Sequence, residues 1–175
     1  MNMQDYNKIP TDSLVHHYLP VNYYDVIGYT FLGENDITPD EIQKSFWTSM
    51  PKWVDNLFKL RNWLVKPFGL KTDKGEVQKT RECIENGGSE GMMSVPAKSE
   101  RETVISLNDK HLIAYLSIYI EKHESNKTTV KSITLVKFHS WLGYVYFYTI
   151  LPFHYIVVKQ ILKYTVNKII ESKKE

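Results

Sequence analysis

The chain has 175 residues, 42% of them apolar and 24% charged, with 22 basic against 20 acidic side chains, which suits one globular domain with its own core. Basic residues gather only in Lys159 to Lys174, so beyond that tail there is no electrostatic footprint for nucleic acid. A lone cysteine, Cys83, excludes an intrachain disulfide, and no Cys/His spacing suits zinc; no metal or cofactor is implied.

Met1 to Pro20 carries Asp5, Asp12, His16 and His17 and lacks the apolar run of a signal peptide. It is set apart as an extension, residues 1–20, ahead of a single domain, residues 21–175, and a cytoplasmic location is expected. His16-His17, even with Asp12, lack a third metal ligand and read as tail residues.

Tyr23 to Gly33, aromatic and β-branched, predicts a first strand with flanks suited to a sheet edge. Thr38-Pro39-Asp40-Glu41 is a capping box with proline at the first helical position, so a helix should start at Pro39 and run to about Ser49. Pro51 then opens a second helix, whose Trp53, Val54, Leu57, Leu60 and Leu64 keep helical spacing until Gly69. Lys71 to Gly91 reads as a long polar loop with one short strand near Val77 to Ile84.

Beyond it the period becomes two. A strand over Gly91 to Pro96 precedes three more, at Arg101 to Leu107, Leu112 to Ile120 and Thr128 to Phe138. Their links, Asn108-Asp109-Lys110 and Glu124-Ser125-Asn126, are hairpin connections that make neighbours antiparallel. After Trp141 a helical stripe runs through Phe147, Ile150, Leu151, His154, Val158, Ile161, Leu162, Thr165 and Ile169. About 30 residues would span roughly 45 Å, with Pro152 as a kink or break. Ser140 to Val158 is free of formal charge, close to the roughly 17–20 residues of a membrane span, yet its tyrosines, Pro152 and His154 favour a buried helix. The fold expected is α+β: a curved antiparallel sheet wrapped around a long C-terminal helix.

Pro51-Lys52-Trp53-Val54, Leu60-Arg61-Asn62, Phe68-Gly69-Leu70, Asp109-Lys110-His111-Leu112, Gly143-Tyr144 and Pro152-Phe153-His154, in that order, resemble an uncharacterised bacterial family of unknown function grouped with the helix-grip (SRPBCC) superfamily. START lipid-transfer domains, birch-pollen-type allergens and polyketide cyclases belong to that superfamily. The resemblance covers Tyr23 to Lys168 and implies the helix-grip fold. Some relatives place such a domain behind a dinucleotide-binding oxidoreductase, which implies an oxidoreductase as a candidate partner. This chain has no GxGxxG after its first strand, so it is not expected to bind NAD itself.

Two positions carry candidate chemistry. Asp109 beside His111 could orient a general base, although Asn-Asp-Lys sits where a hairpin must turn and the turn reading is favoured. His154, on the inward stripe of the last helix, needs a polar partner, either a carbonyl freed by Pro152 or a ligand head. His139 and Trp141 open that helix, whose first amides could hold an anion, though nothing else marks such a site. Arg61-Asn62 reads as structural, paired with an acid such as Asp55 or Glu102.

The high aromatic content, 13% of residues and 12 of them tyrosines, suggests that some rings line a cavity. Tyr144, Phe147, Tyr148 and Trp53 are candidates for its wall. The leading expectation is a module that binds a hydrophobic or lipid-like small molecule between sheet and last helix, contacted by His154, Tyr148, Tyr144, Phe147, Trp53, His111 and Asp109. The alternatives are a cyclase- or hydratase-type enzyme using a pocket histidine, and an accessory domain to an oxidoreductase. A homodimer is a further option, and membrane contact through the cationic end of the last helix is the minor variant.

Overall fold

The computed structural model describes residues 7–33, 36–48, 77–124 and 126–173. Six strands form one antiparallel, curved sheet in the order β1-β6-β5-β4-β3-β2. They are β1 (Tyr23–Leu32), β2 (Ser89–Glu90), β3 (Met93–Lys98), β4 (Glu102–Asn108), β5 (Leu112–His123) and β6 (Lys127–Phe138). Among the described residues three α-helices accompany them, α1 (Pro39–Thr48), α2 (Val77–Asn86) and the 32-residue α3 (Trp141–Ser172), with one 3-10 turn at Leu14–Tyr18. This is the helix-grip arrangement expected, and β1 lies at the sheet edge. The predicted second helix and its Trp53, with Arg61-Asn62, lie outside the described residues.

The capping box forms as its spacing requires. The Thr38 amide donates to Glu41 Oε2 at 2.9 Å, and the Glu41 amide donates to Thr38 Oγ1 at 3.3 Å. One expectation fails: Val77 to Ile84 is helix, not loop or strand. The segment is built from good helix formers, Lys, Arg, Glu and Gln, and its buried Cys83 and Ile84 are neighbours that a strand would send to opposite faces. Gly87, at φ +65°, follows α2 in the left-handed conformation that ends a helix without strain.

The inward sheet face carries the residues that the alternation predicts. Ile118 and Ile120 of β5, Val130 of β6 and Ile27 of β1 pack with Ile42 of α1 and with Val158, Leu162 and Val166 of α3. Leu112, Val136 and Phe138 meet Tyr146 and Phe147 nearer the start of α3. Each fully buried aliphatic side chain contributes about 1.5–3 kcal/mol, so this double row sets where the helix lies. α1 is tied to the same face by Gln43, whose Nε2 donates to the carbonyls of Thr103 and Leu116, both at 3.0 Å.

The outward face is covered as well. Ile9 and Val15, from the segment read as an extension, and Val21 just after it pack on Val104, Tyr119, Ile133 and Leu135, and Tyr18 stacks on Tyr115 at 4.1 Å. The anchor is Glu102, 1% exposed. Its carboxylate accepts from Ser13 Oγ at 2.7 Å, the Leu14 amide at 2.5 Å and Ser117 Oγ at 2.5 Å. These bonds join the N-terminal segment to β4 and β5. Asp12 adds a second tie, accepting from Tyr119 Oη at 2.7 Å and pairing with Arg101 at 3.0 Å. Burial, with the bond to Asp12 adding to it, pushes the Tyr119 hydroxyl up to about 12.

α3 begins at a close contact. Ser140 caps it, accepting from the Gly143 amide at 3.4 Å, and the His111 carbonyl accepts from the His139 amide at 2.8 Å. A Cβ on Gly143 would sit 2.1 Å from that same His111 oxygen. The helix then continues past Pro152 to Ser172 without the break that a proline can impose. Its far end is held by Lys173, which pairs with Glu41 at 3.0 Å and donates to the Asp36 carbonyl.

Three outcomes follow from this framework. Glu102→Ala leaves buried hydroxyl and amide donors unpaired and should destabilise the fold by about 3 kcal/mol, read as a lower urea midpoint at unchanged slope. Gly143→Ala should cost about 2 kcal/mol or more, because the obstacle is backbone and not a flexible side chain. Val145→Ala, on the exposed side of the same helical turn, is its control and should change stability by no more than about 0.5 kcal/mol. The third concerns pH. For Glu41, burial pushes the carboxyl up, but the Thr38 amide and Lys173 outweigh it and hold it below its ordinary value; for Glu121, the bond from Lys131 does so directly. A carboxyl depressed in the folded state stabilises above its unfolded pKa, and that stabilisation is lost as pH falls through the folded one. The thermal midpoint should therefore hold from pH 7 to about 5.5 and drop below about 4.5, and Glu121→Gln should shallow the drop.

Candidate functional site

β1 and β6 set Asp25 directly opposite Thr134 in the ladder, and Tyr23 opposite Val136. Side chains two apart on a strand share a face, so Tyr23, Asp25 and Ile27 all turn toward α3, as their packing shows for Tyr23 and Ile27. A carboxylate is thereby placed inside an otherwise apolar seam. From the opposite side α3 brings His154. Its Nε2 lies 3.0 Å from Asp25 Oδ2 and 3.4 Å from Thr134 Oγ1. Tyr23 Oη donates to the same Asp25 Oδ2 at 2.8 Å.

This cluster is largely shut off from water, with the side chains of His154 and Asp25 15% and 13% exposed. Burial, reinforced by the adjacent Asp25 carboxylate, pushes the Tyr23 hydroxyl well above its usual value, so it is a neutral donor at any physiological pH. The geometry gives His154 Nε2 the proton it shares with Asp25, which fixes the ring's orientation. Asp25 Oδ2 is thus doubly served. Its Oδ1 is buried and has no hydrogen-bond partner among the described residues. A second buried oxygen without a partner among the described residues, Thr165 Oγ1, lies on the same inward stripe of α3 as His154, about 16 Å further along the helix.

Rings wall the cluster on one side. Phe147 lies 4.7 Å from Tyr23 and 6.2 Å from the His154 imidazole, centroid to centroid. Tyr148 packs edge-on against Phe147 at 5.9 Å and meets Tyr144 at 4.4 Å, while Phe138 touches all three. Of the residues singled out from sequence, His154, Phe147, Tyr148 and Tyr144 are therefore neighbours on one stretch of α3. His154 is partnered by Asp25 and not by a carbonyl freed at Pro152.

Asp109 and His111 stand elsewhere. Asp109 accepts from the Lys110 amide at 2.5 Å within the β4–β5 turn, and its carbonyl meets His139 Nδ1 at 3.2 Å. His111 Nδ1 lies 3.1 Å from the capping hydroxyl of Ser140. Fourteen residues of helix, roughly 20 Å, separate Ser140 from His154, so the Asp109/His111 pair braces the start of α3 and does not join the cluster. Ser140 takes the Gly143 amide at the helix start, in the place an anion would occupy. Among the described residues, no group of three or more His, Cys, Asp or Glu is placed to hold a metal ion.

Sequence reasoning missed Asp25 and Tyr23. The available signal was the register of β1: in YYDVIGY, the single acid falls on the same face as Tyr23, Ile27 and Tyr29. An acid at an inward position demands a partner, and the one inward histidine of the last helix could have been paired with it.

A family model described as "Protein of unknown function (DUF2867)" matches residues 18–161. No curated protein and no solved structure matches the chain. The matched span contains every residue of the cluster, from Tyr23 through Thr134 to His154, and ends within α3. Because it takes in most of the 175 residues, the chain belongs to the DUF2867 family.

Proposed function

We propose that this protein binds a small, largely apolar molecule between the sheet and α3, with a hydrogen-bond-donating end of that molecule seated on Asp25. The observation that carries the reading is the buried Asp25 Oδ1, which has no hydrogen-bond partner among the described residues. An acceptor left unpaired in a dry site costs about 1–3 kcal/mol, and a ligand hydroxyl or N–H would remove that penalty. His154 and Tyr23 hold the carboxylate in place from its other oxygen. Phe147, packed on both Tyr23 and His154, supplies the kind of apolar wall that such sites use for most of their contact area. The strand and helix order also supports grouping the family with the helix-grip superfamily, to which the START lipid-transfer domains belong.

Native mass spectrometry of the gently purified protein should show the chain plus a bound apolar compound, extractable into organic solvent. N-phenyl-1-naphthylamine, an apolar fluorophore with one N–H, should bind saturably. Asp25→Asn places an amide donor where an acceptor is needed and should weaken that binding about tenfold or more, equivalent to about 1.4 kcal/mol. A bare-chain mass with no saturable probe binding, or equal binding by the variant, refutes the reading.

One contact favours a second reading. A carboxylate 3.0 Å from an imidazole is the arrangement that orients a general base, and it suits proton transfer on a ligand seated beside it. His154→Gln should then retain an unconverted compound that differs from the one recovered with the unaltered chain. Recovery of the same compound from both would remove the catalytic reading while leaving binding intact.

A further inference from the structure

α3 buries one stripe on the sheet and leaves the opposite one bare. With 100° of rotation per residue, Trp141, Val145, Tyr148, Pro152, Tyr155 and Ile156 fall on the outward face, and all are exposed. Trp141 is 72%, Tyr155 53% and Ile156 55% accessible. Scattered exposed apolar residues are normal, but a continuous apolar stripe over four turns, three of its six residues aromatic, is a surface that binds something. The same face continues into Lys159 and Lys163, both exposed, with Lys159 Nζ 6.0 Å from the Tyr155 ring. No acidic residue occurs between Trp141 and Ile170.

By length and composition this helix could cross a membrane. Its inward stripe is occupied by the sheet, however, from Phe147 to Val166, so it cannot present apolar surface all round as a spanning helix must. What it presents is one apolar face with tryptophan and tyrosines, the residues that settle at a bilayer's headgroup level, followed by lysines. We infer that the outward face of α3 docks on an anionic lipid bilayer, lying in the interfacial plane with Tyr155 and Ile156 among the acyl chain ends and Lys159 and Lys163 against anionic headgroups.

Charge selects this occupant over the others. Residues 49–76 of the chain carry six basic against three acidic side chains, so they offer the two lysines no net counter-charge. A second copy of this face would bring lysines and no acids. An anionic headgroup layer supplies both an apolar interior and the opposite sign.

The test is sedimentation of the full chain with phosphatidylcholine vesicles containing 30% phosphatidylserine, at low and at high salt, beside pure phosphatidylcholine. At low salt the anionic vesicles should pellet the protein at least tenfold more effectively than the neutral ones, and 0.5 M salt should remove most of the difference. Lys159→Glu/Lys163→Glu should abolish the preference for anionic lipid. Tyr155→Ser/Ile156→Ser should abolish pelleting while the thermal midpoint stays unchanged or rises, as expected for a solvent-facing site. The inference is overturned if the unaltered chain fails to pellet with 1 mM anionic lipid at low salt, or if either double variant pellets as it does. It is equally overturned if Tyr155→Ser/Ile156→Ser lowers the thermal midpoint by several degrees, which would mean that the chain covers this face itself, or converts a stable dimer to monomer, which would assign it to a second copy.

Discussion

The approach of α3 to the β4–β5 turn leaves no room for a side chain at position 143, and the rest of the interior depends on that contact. A helix seated by one close backbone contact has its rotational phase set there. Eleven residues make just over three full turns, so Gly143, His154 and Thr165 lie nearly on one line along the inward side of α3. Phase set at Gly143 against His111 therefore delivers His154 over the Asp25–Thr134 pair and carries Thr165 into the apolar seam beyond. The bracing of this end by Ser140, His111 and Asp109 is thus remote from the polar cluster and still decides its geometry.

α3 performs two unlike tasks on its two sides. The inward stripe must be apolar enough to bury against Ile118, Ile120, Val130 and Val136, yet it gives up two positions, His154 and Thr165, to polar groups. The outward stripe is aromatic where burial does not require it. Neither feature follows from folding stability alone, since a leucine or valine at 154 would pack more favourably and a glutamate or lysine at 155 would be more soluble. His154 and the outward tyrosines sit in the first half of the helix, within the span shared with the family.

How far the sequence discloses this arrangement differs by element. The strands from β4 to β6 were legible through their alternation with period two: Leu112, Ala114, Ile118 and Ile120 share the face that packs under α3, and only one register puts them there. α1 was legible through Thr38 and Glu41, whose reciprocal bonds depend only on local spacing. α2 was not, because its ten residues hold few apolar groups and its glycine-rich flank reads as loop; the burial of Cys83 and Ile84 comes from neighbours distant in sequence, α1 among them. The cluster was half legible. His154 declares itself on a helical stripe, but its partner lies 129 residues earlier, and only strand register joins the two. The hold of the N-terminal segment on the sheet was hidden for a similar reason, since it rests on Glu102, whose burial cannot be read from its own surroundings.

Two carboxylates largely shielded from water allow structural and functional roles to be told apart. Glu102 is the more deeply buried, and both of its oxygens are taken: Oε1 accepts from Ser13 and Ser117, and Oε2 from the Leu14 amide. Nothing remains for a ligand to satisfy, and its bonds run between segments that must stay together. Asp25 has the opposite balance. Tyr23 and His154 converge on one oxygen while the other is buried with no donor among the described residues. Were Asp25 there to hold β1 against α3, a singly bonded serine or asparagine would do so with less desolvation. A carboxylate kept in low dielectric with one oxygen unspent is suited instead to a group that arrives with its own donor, and that asymmetry is the strongest physical reason to look for function at Asp25.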